Sequence, residues 1–135
     1  MGTGCKEERR GIAILVHARW STSVQALAGA NERLCYVDLC IQNLNLRIMS
    51  VYFPDSSYSD IDVEQVYTLM HGIHADAIEQ KRQVVIGGDF DAEVGSSQDA
   101  TGKSVLGRYG MRKANARSGW FHAWAATRQL YITNT

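Results

Sequence analysis

The chain is poor in the residues that staple, kink or segment a fold. A single proline in 135 residues leaves no Pro-rich linker, and neither a low-complexity tract nor an internal repeat divides the sequence. Its three cysteines, Cys5, Cys35 and Cys40, form an odd set without a CxxC pair. That argues against a disulfide framework or a structural zinc site and for reduced thiols in an intracellular compartment, nuclear or cytoplasmic. No segment approaches the ~18 consecutive apolar residues needed to span a bilayer. The opening MGTGCKEERR is charged and lacks the apolar core of a signal peptide, so a soluble chain with no membrane partner is expected. Gly2 does not read as a myristoylation signal, because Lys6 stands where that signal wants Ser or Thr. Net charge is also missing: 14 Lys and Arg balance 14 Asp and Glu. Any attraction for nucleic acid must therefore come from local patches.

What is present is enough apolar material, 45% of residues, for one core and too little length for two. After a charged tail over 1–10, the run GIAILV (Gly11–Val16) has the length and composition of a strand. LCYVDLCI (Leu34–Ile41) alternates with Cys35, Val37, Leu39 and Ile41 on one face. A turn over Gln42–Asn45 leads to LRIMSVYF (Leu46–Phe53), which stops at Pro54, and the pair predicts an antiparallel hairpin. From about Ser59 to Lys81 the period changes. Val66, Leu69, Met70, Ile73 and Ala77 mark one helical face, with Ser59 placed to cap the helix and Asp60 and Asp62 near its positive end. Gln83–Gly88 reads as a short buried strand. Gly95–Arg117 reads as a long loop, Ser118–Arg128 as a short helix and Leu130–Thr133 as a strand. Helices among apparently antiparallel strands predict an α/β or α+β sandwich.

The chemistry gathers where VVIGGDFDAEVG ends its strand. Carboxylates just after a buried strand are held rigidly, and Gly87 and Gly88 permit close approach of backbone or ligand. If the extended conformation persists, Asp89 and Asp91 share one face and could share a magnesium ion, with Glu93 continuing that face. The alternative is that Asp89 and Asp91 cap a turn. His71 and His74, at i and i+3 on the helix, have a metal-compatible spacing but no evident third ligand. His17 reads as a strand-end residue. Between Lys103 and Arg117 five basic residues, Lys103, Arg108, Arg112, Lys113 and Arg117, occur without an acid.

GGDFDAEVG resembles the Gly-Asp-Phe-Asn-Ala-x-x-Gly motif of the endonuclease/exonuclease/phosphatase superfamily, above all the apurinic-type endonuclease domain of LINE retrotransposons of the RTE type. GIAILVHARW, SVYFPDS, GRYGMRKANARSG and QLYITNT resemble further segments of that domain in the same order, over about Gly11–Thr135. The resemblance implies a DNase I-like α/β sandwich of two mainly antiparallel sheets, here the central part of a domain over 11–135. It implies a DNA endonuclease requiring Mg2+ or Mn2+ that nicks a phosphodiester to prime reverse transcription. Asp89 matches the acid that positions or activates water, and Asp91 stands where the family usually has Asn. Tyr52 matches the tyrosine near the phosphate, and Asn115 and Asn134 match the asparagines of the loop and of the last strand, which read as ties between loops and strand ends more than as chemical groups. Beside such a site, Arg108, Arg112, Lys113, Asn115 and Arg117 would contact DNA backbone, and Tyr109 could stack on a base. The family also has an early metal-binding Glu and a late Asp and His, to which no residue of the matched segments corresponds. A non-catalytic, domesticated module that binds nucleic acid or protein, or pairs as a homodimer through exposed sheet surface, is therefore the second expectation. A phosphoesterase acting on small phosphoesters is the third.

Overall fold

Two-residue hairpin chemistry organises the first half of the chain. In the computed structural model, which describes residues 11–95, 105–107 and 114–133, Gln42 and Asn43 both adopt positive φ, 49° and 68°. That is the conformation of the tight turn whose twist matches paired strands. It joins β2 (Leu34–Ile41) to β3 (Leu44–Tyr52) in an unbroken antiparallel register, with Ile41 opposite Leu44 and Leu34 opposite Val51. β1 (Val24–Asn31) pairs with β2 on the other side, also antiparallel, with register shifts near each end. α1 (Asp60–Glu79) then carries the chain over to β4 (Gln83–Asp89), which lies beside β3 and completes a mixed sheet of order β1-β2-β3-β4. The class is α/β, as expected.

The chain divides into two units, the first comprising residues up to Phe53 together with Asp60–Gly88. Its core lies on the face of the sheet that carries Leu34, Met49, Val51 and Phe53, all buried. α1 buries Val63, Val66, Met70, His74 and Ala77, the three-and-four spacing that the sequence displays. Leu69 and Ile73, expected on that face, are half-buried. The Phe53 ring packs at 4.7 Å against Tyr67 of α1.

A polar rivet joins the same elements. Arg47 of β3, 1% exposed, grips Asp38 of β2 and reaches α1 through the Ile73 carbonyl (3.0 Å) and the Asp76 carboxylate (2.5 Å). The Tyr36 ring covers its guanidinium at 4.2 Å. Arg82 adds a second cation to Asp38 at 3.3 Å. Buried ions persist only when paired and fully hydrogen-bonded, which this arrangement provides.

The second unit, Pro54–Ser59 with Asp89–Thr135, holds α2 (Ser118–Thr127). Phe121, Ala125 and Ile132 are buried there, with Phe90, Ala92, Val94, Val105, Leu106 and Leu130 packed against them. The Phe90 and Phe121 rings stack at 4.3 Å.

Several expectations are corrected. Gly11–Val16 forms no strand, and Leu15 is 98% exposed. A strand needs a neighbour, and among the described residues this run has no ladder partner. A 3-10 helix (Ala18–Ser23) follows it and packs against β2. β1 has the unpromising sequence VQALAGAN, yet it is a strand because β2 offers it an edge. β4 is an outer strand of this sheet, with Val85 52% exposed, and not a buried one. Leu130–Thr133 contributes only an isolated parallel bridge, Leu106 with Ile132. The described residues contain one sheet, so the fold stands as a mixed α/β unit. The tail over 1–10 lies outside the described residues, as does much of the long loop.

Candidate functional site

The second of the two glycines is the one that shapes the strand end. A Cβ added to Gly88, whose φ is +150°, would lie 1.9 Å from the carbonyl oxygen of Val51 in β3, whereas Gly87 faces open space. β4 can therefore close against β3 at that point only without a side chain. The following residue, Asp89, ends the strand with its side chain exposed.

Beyond Asp89 the extended backbone stops. Asp91 has φ 48°, a left-handed conformation that Asp and Asn tolerate better than most residues. Its backbone N–H donates to Asp89 Oδ1 at 3.1 Å, the local side-chain hook typical of Asx turns. The period-two alternation that would set Asp89 and Asp91 on one face is broken at this bend. The carboxylates are instead carried on a turn of Asp89, Asp91 and Glu93.

Asn115 braces that turn. Its Nδ2 donates to the Asp91 carbonyl at 2.9 Å and its backbone N–H to the Glu93 carbonyl at 3.3 Å. Its Oδ1 accepts from the Ser118 backbone N–H at 3.1 Å, and its carbonyl accepts from Ser118 Oγ at 2.6 Å. The asparagine thus links the carboxylate turn to the start of α2. Arg117, read from the sequence as a DNA contact, donates through Nη2 to the Tyr58 carbonyl at 3.3 Å.

Tyr52 is the last residue of β3 and half-buried. Its backbone N–H donates to the Arg33 carbonyl at 2.9 Å, and the Arg33 guanidinium lies 5.5 Å over its ring. Lys103, Arg108, Tyr109, Arg112, Lys113 and Asn134 lie outside the described residues.

The histidines separate. His71 is exposed while His74 is buried in the core of the first unit, so the i, i+3 pair presents no common open face. His17 caps the 3-10 helix by accepting from the Arg19 N–H at 3.2 Å. His122 of α2 is half-buried, and burial pushes its imidazole below the usual range.

No group of three or more His, Cys, Asp or Glu side chains is gathered for a metal ion among the described residues. A magnesium ion asks for less than that, since one or two carboxylates suffice when water and a substrate phosphate complete the shell. The hard-oxygen donors of exposed Asp89 and half-buried Asp91 fit that requirement.

Sequence reasoning passed over the Arg47 cluster and read Asn115 as a tie between loop and strand end without naming its partners. A signal for the first existed, because Asp38 and Arg47 are the charged residues inside two otherwise uncharged strands, and hairpin register pairs them. The brace had only the loop asparagine as a sign.

No protein-family model and no curated protein matches this chain.

Proposed function

We propose that the chain carries a DNA endonuclease domain of the LINE retrotransposon type, dependent on Mg2+ or Mn2+ and built on a DNase I-like two-sheet sandwich. The observation that carries this reading is the exposed Asp89 at the end of β4, followed by a braced turn of further carboxylates. It joins the motif resemblance of Gly87–Gly95 to a local structure suited to phosphoester chemistry.

In this reading Asp89 orients an attacking water and draws off its proton. The water oxygen bonds to phosphorus, the ester bond to the departing sugar oxygen breaks, and that oxygen takes up a proton. Tyr52 donates its hydroxyl hydrogen bond to a non-bridging phosphate oxygen. Asp91, ionised, cannot donate as the family asparagine does and repels the phosphate unless a cation lies between them. Asp89 and Asp91 are the residues that would hold the divalent ion, which when bound supplies Lewis-acid stabilisation of the charge on the phosphate. Arg108, Arg112 and Lys113 are assigned to DNA phosphates and Tyr109 to base stacking on the strength of the sequence.

Nicking of supercoiled plasmid by the purified chain, with magnesium or with EDTA, tests the reading. Cleavage that needs both the metal and Asp89 is expected, and Asp89→Ala should abolish it with the fold intact. Nicking by Asp89→Ala at the wild-type rate would sink the assignment.

One observation favours a second reading, a non-catalytic module that pairs with a partner or a second copy. The outer strands of the sheet leave Leu27 of β1 77% and Val85 of β4 52% exposed, and exposed sheet edges invite pairing. A folded chain that sediments as a dimer and never nicks DNA would support it.

A further inference from the structure

The turn that carries the carboxylates has no regular secondary structure of its own. Residues 92–95 follow Asp91 as irregular chain, and Asp91 holds a left-handed backbone. Such a segment stays in one conformation only when its surroundings determine it. Two supports are visible within the second unit. One is internal, the Asp91 N–H on Asp89 Oδ1. The other is Asn115, whose Nδ2 and backbone N–H take the carbonyls of Asp91 and Glu93 as a neighbouring strand would. Its remaining side-chain atom, Oδ1, is occupied by Ser118 at the entry to α2. α2 is fixed in turn by Phe121, stacked on the Phe90 that lies between the two aspartates. The turn, the asparagine and the helix form one closed circuit.

We infer that Asn115 is a positioning residue for the carboxylates of Asp89, Asp91 and Glu93, acting through the backbone of their turn and not as a contact to DNA. This rests on the reading that the turn takes a divalent cation. The competing role is simple capping: Asn115 Oδ1 serves Ser118 in the turn that enters α2, and an oxygen there stabilises a helix start whatever happens at the carboxylates.

The two roles separate by substitution. Asn115→Ser keeps a capping oxygen, adds no charge and is too short to reach the Asp91 carbonyl. Asn115→Asp keeps the acceptor and loses the donor. Ser118→Ala removes a bond to the Asn115 carbonyl and leaves the donor in place. Each is examined in the full chain by amide hydrogen exchange at Asp91 and by binding of Mn2+ alone, read by electron paramagnetic resonance. Loss of one hydrogen bond to the turn should speed Asp91 exchange by about five- to tenfold in Asn115→Ser. Mn2+ binding should weaken by a similar factor, with Ser118→Ala within about twofold of wild type in both readouts. Asn115→Asp should show the same faster exchange, which keeps the test open if the serine variant folds poorly. Wild-type exchange in both Asn115 variants would overturn the inference. If the native chain binds no Mn2+ while exchange still accelerates in the variants, the cation reading fails and the bracing of the turn stands.

Discussion

Arg47 and Asp38 face each other across the β2–β3 ladder and pair in fork geometry, Nε to Oδ1 at 2.7 Å and Nη2 to Oδ2 at 2.8 Å, with both side chains 2% exposed. Their bond is the part of the first unit least able to tolerate change. Asp38→Asn leaves the guanidinium buried with half its compensation, and losing one partner of a buried pair costs about 3–5 kcal/mol. A large drop in the urea midpoint is expected. A midpoint within experimental error of wild type would show that the pair is dispensable.

Asp76 makes the same cluster sensitive to acid. Its hydrogen bond to Arg47, with a smaller contribution from Gln80, holds its carboxyl below the usual value of 3.8. A folded-state value below the unfolded one favours the folded chain above the unfolded pKa, and this contribution is lost as pH falls through the folded value. The stability of wild type should therefore fall more steeply below about pH 4 than that of Asp76→Asn. Unfolding curves collected between pH 6 and pH 2 decide the matter, and parallel profiles would remove Asp76 from the account.

Neighbouring glycines should respond differently to one methyl group. Gly88→Ala drives a Cβ into the Val51 carbonyl and should destabilise by about 2 kcal/mol or more, since backbone cannot move aside as a flexible side chain can. Gly87→Ala meets nothing within 4 Å and should be nearly silent. Thermal melts of the two variants side by side make the comparison.

Lys81 ends α1 in a left-handed conformation, φ 56°, while the Arg82 N–H reaches back to the Ala77 carbonyl at 2.9 Å. This is the position at which helices usually carry glycine. Lys81→Gly should raise stability by about 0.5–1 kcal/mol, relief of the strained backbone outweighing the added freedom of the unfolded chain. A lower melting temperature would contradict it.

Asp91→Asn should be stable and, if the endonuclease reading holds, more active or tighter on DNA. Asparagine accepts the left-handed backbone at least as well as aspartate and restores a neutral donor near the phosphate. Electrophoretic binding and nicking assays on the variant measure this. No change in either, with the fold retained, would count against the assigned role of position 91.

The two helices and the β2–β3 hairpin were legible because their signals are local. The apolar period of Val66, Met70 and Ala77 places α1, and Pro54 closes β3 as expected. β1 and Gly11–Val16 were misread for one reason in two directions. Strand formation depends on an available edge, which composition does not encode, so apolar GIAILV stays unpaired while VQALAGAN joins β2. At the candidate site Asp89 was legible as a strand-end carboxylate. The bend at Asp91 was legible only as the alternative in which the two aspartates cap a turn, because period-two spacing assumes an extended chain and one positive φ cancels it.

The cluster of Asp38, Arg47, Asp76 and Arg82 also bears on how this chain can diverge. Each single replacement within the buried pair strands a charge in the interior, although exchanging the whole set for apolar groups of like volume can be neutral or favourable. Drift at this pair must therefore cross a valley, and Asp38 and Arg47 should change together or not at all. Descendants of the chain would keep Asp38 opposite Arg47 long after the surface of α1 has been rewritten.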